Sequence, residues 1–536
     1  MTARPALATL VWCVLAHAGA WGAPAMDWLF PAGARRGDMV EVAVGGKFDT
    51  WPARFVCNNP ALTIKPLATK GKLSITVAAD APPVPCLIRA VDDTGPGNAR
   101  PFIVGALPEV AAREPDNEPA SALLVKHPAV VNGKLERNGD VDCFSVELKA
   151  GQTLAASLLA HQVLTSPMDA LLQVVSPSGI VLAQSNDAGS LDPEIIFQAT
   201  ESGPHIVRLF AFPSMPDSSI RFAGGEGYVY RLTLTTGPFP RHAWPLSVPS
   251  GKKQGISARG WNLDATGGQG KLVATSPSGF GLVVADGWPN FQMVLLGDSE
   301  PVVWSKDLSK PLGLPLWLST QSQGKEASVV TVELGKGVDY RLQAWSSGLG
   351  LNMFPSVALV DPAGKTIQKF EPKGLHEDLD TTFKATSAGN HRLEIREAHG
   401  TTGDRRACLV HLAPAQPDFT AKLGAEIFVA EAGKAASLQV SVSRAGGLAG
   451  NPSFRVEGLP TDIPWTVEPD KDPAKPVKIN FGPSKDGELF SGPVKVFARV
   501  GDLPEKQMWT GSNIPGLEVR EVWIHLPPAK PKAKEK

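Results

Sequence analysis

Apolar and polar residues alternate along most of this chain. Val40, Val42 and Val44 are separated by polar or small residues, as are Leu73, Ile75 and Val77. The same period recurs at Phe144, Val146 and Leu148, at Tyr228, Tyr230, Leu232 and Leu234, and at Tyr340, Leu342 and Ala344. It continues through Cys408, Val410 and Leu412, through Leu438, Val440 and Val442, and through Val522, Ile524 and Leu526. A period of two places successive side chains on opposite faces, giving a strand with one buried and one wetted side. Pairs such as Gly45-Gly46, Ser178-Gly179, Ser202-Gly203, Ala363-Gly364 and Ala388-Gly389 punctuate the runs, as turns between short strands do. The pattern predicts an all-β chain of tandem β-sandwich modules.

The 536 residues exceed what one core supports, since cores stop growing at roughly 250–300 residues. An internal repeat divides them. Val174-Val175-Ser176-Pro177-Ser178-Gly179 aligns with Leu359-Val360-Asp361-Pro362-Ala363-Gly364, and Phe197 with Thr200 to His205 aligns with Phe383 and Thr386 to His391. Both copies carry an acidic loop between these landmarks, and a fainter repeat precedes each copy. The expected modules are therefore an immunoglobulin-like sandwich at 26–112, the first repeat copy at 121–237, an immunoglobulin-like module at 238–315, the second copy at 316–414, and an immunoglobulin-like sandwich at 415–527. Residues 114–119 read as a linker and 528–536 as a Pro/Lys tail without structure of its own.

Residues 1–25 read as a signal peptide: Arg4, an apolar stretch from Ala6 to Ala18, then small residues before two candidate cleavage points. Trp12 before Cys13 argues against lipidation. The apolar stretch falls short of the roughly 20 residues a membrane span needs, and no later one reaches that length. Export, to the periplasm or beyond the cell, is the expectation. Lys plus Arg is 52 against 53 Asp plus Glu, so no net field favours nucleic acid. In an oxidising compartment disulfides persist, and Cys57 with Cys86, lying within one module, suit a bridge between strands. Cys143 and Cys408 read as buried free thiols.

The first repeat copy resembles the bacterial pre-peptidase C-terminal domain. Asn132-Gly133, Gly139-Asp140-Val141-Asp142-Cys143-Phe144, Ser176-Pro177-Ser178-Gly179, Asn186-Asp187 and Gly227-Tyr228-Val229-Tyr230-Arg231-Leu232 carry the likeness. The second copy lacks the Gly-Asp-x-Asp opening and closes on Cys408 to Leu412 without tyrosines, a degenerate relative. The resemblance implies a jelly-roll-like sandwich, commonly appended to secreted proteases and other exported enzymes. It also implies substrate or surface binding and help with secretion rather than chemistry.

Two constellations remain to be weighed. Asp93-Thr94-Gly95 and His399-Gly400-Thr401 imitate subtilisin-type motifs, but they fall in separate modules and no Gly-Thr-Ser-x-Ala nucleophile motif accompanies them; base and nucleophile must meet within hydrogen-bond reach. Asp140, Asp142, Asp187 and Asp192 offer hard oxygens on loops of one module, the ligand type calcium takes. Asp also forms turns on its own backbone, and both readings stand. His205 and His391 hold equivalent repeat positions, which favours a shared structural role. Trp28, Trp51, Trp244, Trp261, Trp288 and Trp304 suit sandwich cores as well as sugar stacking. The expected protein has no catalytic residues and no cofactor beyond the calcium candidates. It binds an extracellular or envelope protein or a polysaccharide. The rival readings are an accessory chain of a secreted hydrolase and a hydrolase of unfamiliar type.

Overall fold

A computed structural model describes residues 22–528 except 189, 216–220, 265–267, 469–474, 484–487, 513 and 515–516. The signal peptide expected at 1–25 lies almost wholly outside the described residues, as does the tail from 529. The chain is all-β. Among the described residues the helical pieces are single turns, His161–Leu164, Pro119–Ser121 and Ser347–Leu349, and none is long and apolar enough to cross a membrane.

Five modules follow one another. The first packs the sheet Ala25–Phe30, Met39–Lys47, Lys72–Val77, Leu62–Pro66 against the sheet Gly33–Arg35, Gly95–Gly105, Pro85–Asp92, Arg54–Cys57. Val42, Leu73, Ile75, Ile88 and Phe102 fill the space between them. The alternating valines and isoleucines face inward, so burial of one face per strand accounts for both sheets. The fifth module repeats this strand order. Asp418–Leu423, Ala436–Ala445, Val477–Phe481 and Trp465–Glu468 form one sheet, and Ile427–Val429, Val522–Leu526, Phe490–Val500 and Pro452–Glu457 the other. In both modules a short early strand joins the last strand in parallel. The third module is a reduced version, one six-stranded path from Phe239–Ala243 to Ser247–Pro249. It encloses a small core around Ile256, Val283, Trp288 and Val294.

The second and fourth modules share a second topology. In the second, Leu123–Leu124, Asp142–Leu148, Gly203–Pro213, Met168–Val175 and Val181–Ser185 form one sheet. Glu194–Gln198, Thr153–Leu159, Val229–Thr235, Ala129–Lys134 and Glu109–Ala111 form the other. The fourth has Ser328–Leu334, Gly389–Glu397, Pro355–Val360 and Thr366–Phe370 facing Leu379–Lys384, Asp339–Trp345, Ala407–Pro414, Leu316–Gln321 and Val302–Val303. Even the irregularity before each hairpin coincides, between Val174 and Val175 and between Leu359 and Val360. Strands Glu109–Ala111 and Val302–Val303 pair in parallel with the module that follows them. These two modules therefore start upstream of residues 121 and 316, because a strand belongs to the sheet that satisfies its backbone.

The modules touch through charged and apolar contacts. Arg89 of the first meets Glu426 of the fifth at 2.9 Å, and Arg241 of the third meets Glu194 of the second at 2.5 Å. Ala32, Val163, Leu164 and Ile514 form a shared apolar cluster across the first, second and fifth modules. Modules one, three and five border a cavity of about 720 Å³.

Candidate functional site

Residues 114–119, expected as a linker, fold back over the opening turn of the second module. The Cys143 backbone N–H donates to the Asp116 carbonyl at 3.0 Å, and Asn117 Nδ2 donates to Asp140 Oδ1 at 3.0 Å. The Glu136 N–H donates to Asp140 Oδ2 at 2.5 Å. Gly139, at φ +88°, supplies the left-handed step that aims Asp140 at this segment, a conformation side chains disfavour. Asp142 follows as the first residue of its strand, and its carboxylate accepts a hydrogen bond from the Tyr230 hydroxyl.

The result is an acidic nest. Carboxylate oxygens of Glu114, Asp140 and Asp142 lie within 4.8 Å of one another. Asp116 and Asp142 are each 1% exposed. Both carboxylate oxygens of Asp116, and Oδ1 of Asp142, lack a hydrogen-bond partner. Burial, then the charges of Glu114 and Asp140, push the Asp116 carboxyl up to about 7. Burial chiefly raises Asp142 well above the carboxylate range, against the opposing Tyr230 hydrogen bond. A buried charge without a partner costs several kcal/mol, far more than a turn-forming aspartate stabilises. That imbalance fits a hard divalent cation, which needs clustered oxygens. Glu114, Asp140 and Asp142 are the residues that would hold calcium, with Asp116 buried beside them. The Cys143 thiol is no ligand: it packs against Val175 and Ile206, and burial pushes it up to about 12.

The four aspartates expected as calcium ligands therefore divide. Asp140 and Asp142 enter the nest. Asp192 instead accepts backbone N–H groups of Ala160, His161 and Gln162 at 3.2, 2.6 and 3.2 Å, capping the single helical turn there. Asp378 does the same in the fourth module, accepting from Ser346 at 2.8 Å and Gly348 at 2.9 Å. Asp187 is exposed and is not part of the metal-compatible group. Glu114 and Asp116 escaped the sequence reading because Glu-Pro-Asp-Asn-Glu-Pro has the composition of a linker. Their partners lie more than twenty residues downstream.

The bridge expected between Cys57 and Cys86 is not formed; both are free thiols. Cys57 pairs with Ile88, so Cys86 is its diagonal rather than its direct neighbour. The neighbouring thiols influence each other, lowering Cys57 and raising Cys86. Cys86 Sγ also donates to the Phe102 carbonyl at 3.1 Å. Asp93 and His399 sit in the first and fourth modules; Asp93 bears on His525, and the His399 ring lies beside Phe354. His205 and His391 each place Nδ1 near a glycine carbonyl two residues back, at 3.0 and 2.9 Å. Trp288 is buried in the third-module core, Trp51 donates to the Leu67 carbonyl, and Trp261 remains exposed.

The cavity between modules one, three and five offers a second candidate surface. Leu87 and Val84, Leu282 and Ala274, and Leu517 and Val519 supply its apolar lining. Arg54 stacks over Trp523 at 5.4 Å, while Glu521 and Arg520 add charge of both signs.

No family model matches the chain, and no curated protein matches it. One solved structure with some likeness, from Clostridium perfringens, comprises the M60 catalytic domain with the CBM51-1 and CBM51-2 domains of ZmpB. It is 8% identical, with 73% of this chain and 54% of that one covered and a TM-score of 0.14. The present chain thus spans about half of that structure's length, and a likeness this slight carries no argument.

Proposed function

We propose that this chain is an exported, non-catalytic binding protein whose ligand sits between its modules. The observation that carries the reading is the cavity of about 720 Å³ walled by three separate modules. Ligand sites are typically clefts of roughly 300–1,000 Å³ at domain boundaries, mostly apolar with a few polar groups to orient the guest. The Arg89–Glu426 ion pair at 2.9 Å holds two of its walls together. An extracellular or envelope polysaccharide or protein is the ligand class. The second module's likeness to the pre-peptidase C-terminal domain belongs to the same reading. The different neighbours of Asp93 and His399, His525 for the one and Phe354 for the other, support a non-catalytic role. So does the burial that raises the Cys143 and Cys408 thiols beyond the reach of a nucleophile.

Calcium held by Glu114, Asp140 and Asp142 would tie the entry segment to the body of the second module. Glycan and peptide arrays probed with wild-type protein and with Ala274→Trp, which fills the cavity, test the reading. A hit lost in the variant at unchanged melting temperature is expected. Hits that survive the filling, silence on both arrays, or hydrolysis abolished by one point mutation would overturn it.

A further inference from the structure

Three modules present one hairpin turn in three chemical states. Ser276-Pro277-Ser278-Gly279 in the third module repeats Ser176-Pro177-Ser178-Gly179 in the second, residue for residue. The internal bonds also repeat. Gly179 N–H donates to the Ser176 carbonyl at 2.8 Å, and Gly279 N–H to that of Ser276 at 3.0 Å. Ile180 N–H donates to Ser176 Oγ at 3.1 Å, and Phe280 N–H to Ser276 Oγ at 3.0 Å. The serine hydroxyls meet at 2.8 and 2.9 Å, and the glycines share φ near +86° and +90°. Each turn thus links two hydroxyls and leaves one hydroxyl proton for an outside acceptor.

A carboxylate satisfies that arrangement wherever the molecule provides one. In the third module Glu518, on the short strand Glu518–Val519 of the fifth module, accepts from the Ser278 hydroxyl. In the fourth module the turn caps itself: Asp361, standing where the other two have serine, accepts from the Ala363 and Lys365 N–H groups at 2.9 Å each. The second-module turn has the hydroxyls and no carboxylate among the described residues. Charge-assisted hydrogen bonds of this kind are roughly twice as strong as neutral ones.

The flanking strand differs in the same sense. Val181–Ser185 is the edge of its sheet, and Ile180, Val181 and Leu182 are 66%, 45% and 46% exposed. The equivalent fourth-module edge carries Lys365, Thr366 and Lys369, and lysine blunts a free edge. An uncharged apolar edge beside an open carboxylate receptor marks a docking strand. We propose that the Ser176–Gly179 turn and strand Val181–Ser185 receive an extended, glutamate-bearing segment of a partner protein. The glutamate caps the turn as Glu518 does in the third module, and apolar neighbours cover Val181 and Leu182. This surface is separate from the inter-module cavity and stands or falls independently of it.

A labelled peptide with this chain's own sequence 514–523, Ile-Pro-Gly-Leu-Glu-Val-Arg-Glu-Val-Trp, is the probe. The full chain is titrated against it by fluorescence anisotropy. The third-module turn is already engaged in cis, at an effective concentration the free peptide does not match. Binding is expected, about tenfold weaker when the peptide carries Glu518→Gln. A similar loss is expected for Ser176→Asp in the chain, which supplies the missing carboxylate as Asp361 does. The exposed pair V181K/L182K should also abolish it, with melting temperature unchanged in both chain variants. No binding, or binding indifferent to Ser176→Asp, would overturn the proposal. So would saturable binding of polygalacturonate at this turn with none of the peptide, since the carboxylate would then belong to a polysaccharide.

Discussion

The second and fourth modules have one strand order and two interiors. Their registers equate Asp142 with Ser328, opposite Leu209 and Ile395, and Tyr230 with Cys408, opposite Gly133 and Thr320. In the second module the buried Tyr230 hydroxyl bonds Asp142 above a glycine whose absent Cβ would stand 2.0 Å from that hydroxyl. In the fourth, Thr320 and Ser328 join their hydroxyls at 2.7 Å beside the small Cys408. Bulk and polarity trade across three positions. The fold tolerates a neutral pair here, so the acids of the second module are not required by topology.

Exchanging the three positions tests that comparison most severely. Gly133→Thr alone drives a side chain into Tyr230 and should cost roughly 3 kcal/mol or more. The triple variant G133T/D142S/Y230C should recover most of it, measured by denaturant unfolding; no recovery would mean the two interiors are not interchangeable. Calcium comes next. At a hundredfold excess over its dissociation constant it should stabilise the second module by about 2.7 kcal/mol. Calorimetry with and without chelator reads the shift, and Asp142→Ser should remove it. A shift that persists in Asp142→Ser would place the ion elsewhere.

The acid response of the fourth module comes third. Burial, against weaker opposing attraction from Asp298, lowers His411 to about 4; its ring packs on Trp317 at 4.1 Å. A folded-state value below the unfolded one of about 6.5 means the unfolded chain takes up the proton first. This contribution is complete above about pH 6.5 and shrinks as pH falls towards 4, by up to roughly 2 kcal/mol after screening. The second module has Thr233 at the matching register, so His411→Thr should flatten the acid limb of a stability–pH profile. The smallest effect should be shared. Asp192→Ala and Asp378→Ala each strip a capped helical turn and should cost about 1–2 kcal/mol alike. Unequal losses would break the structural equivalence of the two loops.

Legibility followed the range of each interaction. The period-two runs at Val42, Leu73, Val146, Leu342 and Val440 became strands with those residues buried, because alternation is a property of a few consecutive residues. The Ser-Pro-Ser-Gly landmark located a hairpin at residue 176, whereas its second occurrence at residue 276 lies outside the repeat frame and is matched to the first by its hydrogen bonds. The fifth module bears no sequence landmark, yet it copies the strand order of the first. Different side chains fill the same two-sheet core, and packing asks only for apolar volume on one face. The acids were half visible: Asp140 and Asp142 stand in a recognisable turn, whereas Glu114 and Asp116 looked like spacer.

Residue pattern alone determined that this chain makes short two-faced strands, divides into several sandwiches and repeats one of them. Local sterics and the burial of alternate side chains suffice for that. Only tertiary structure decided which acids share a nest, that Asp192 serves a helical turn, and that Glu518 of one module caps a serine turn of another. Those contacts join residues from about twenty to more than two hundred positions apart, and such approach is set by how whole sheets pack, which no local spacing encodes.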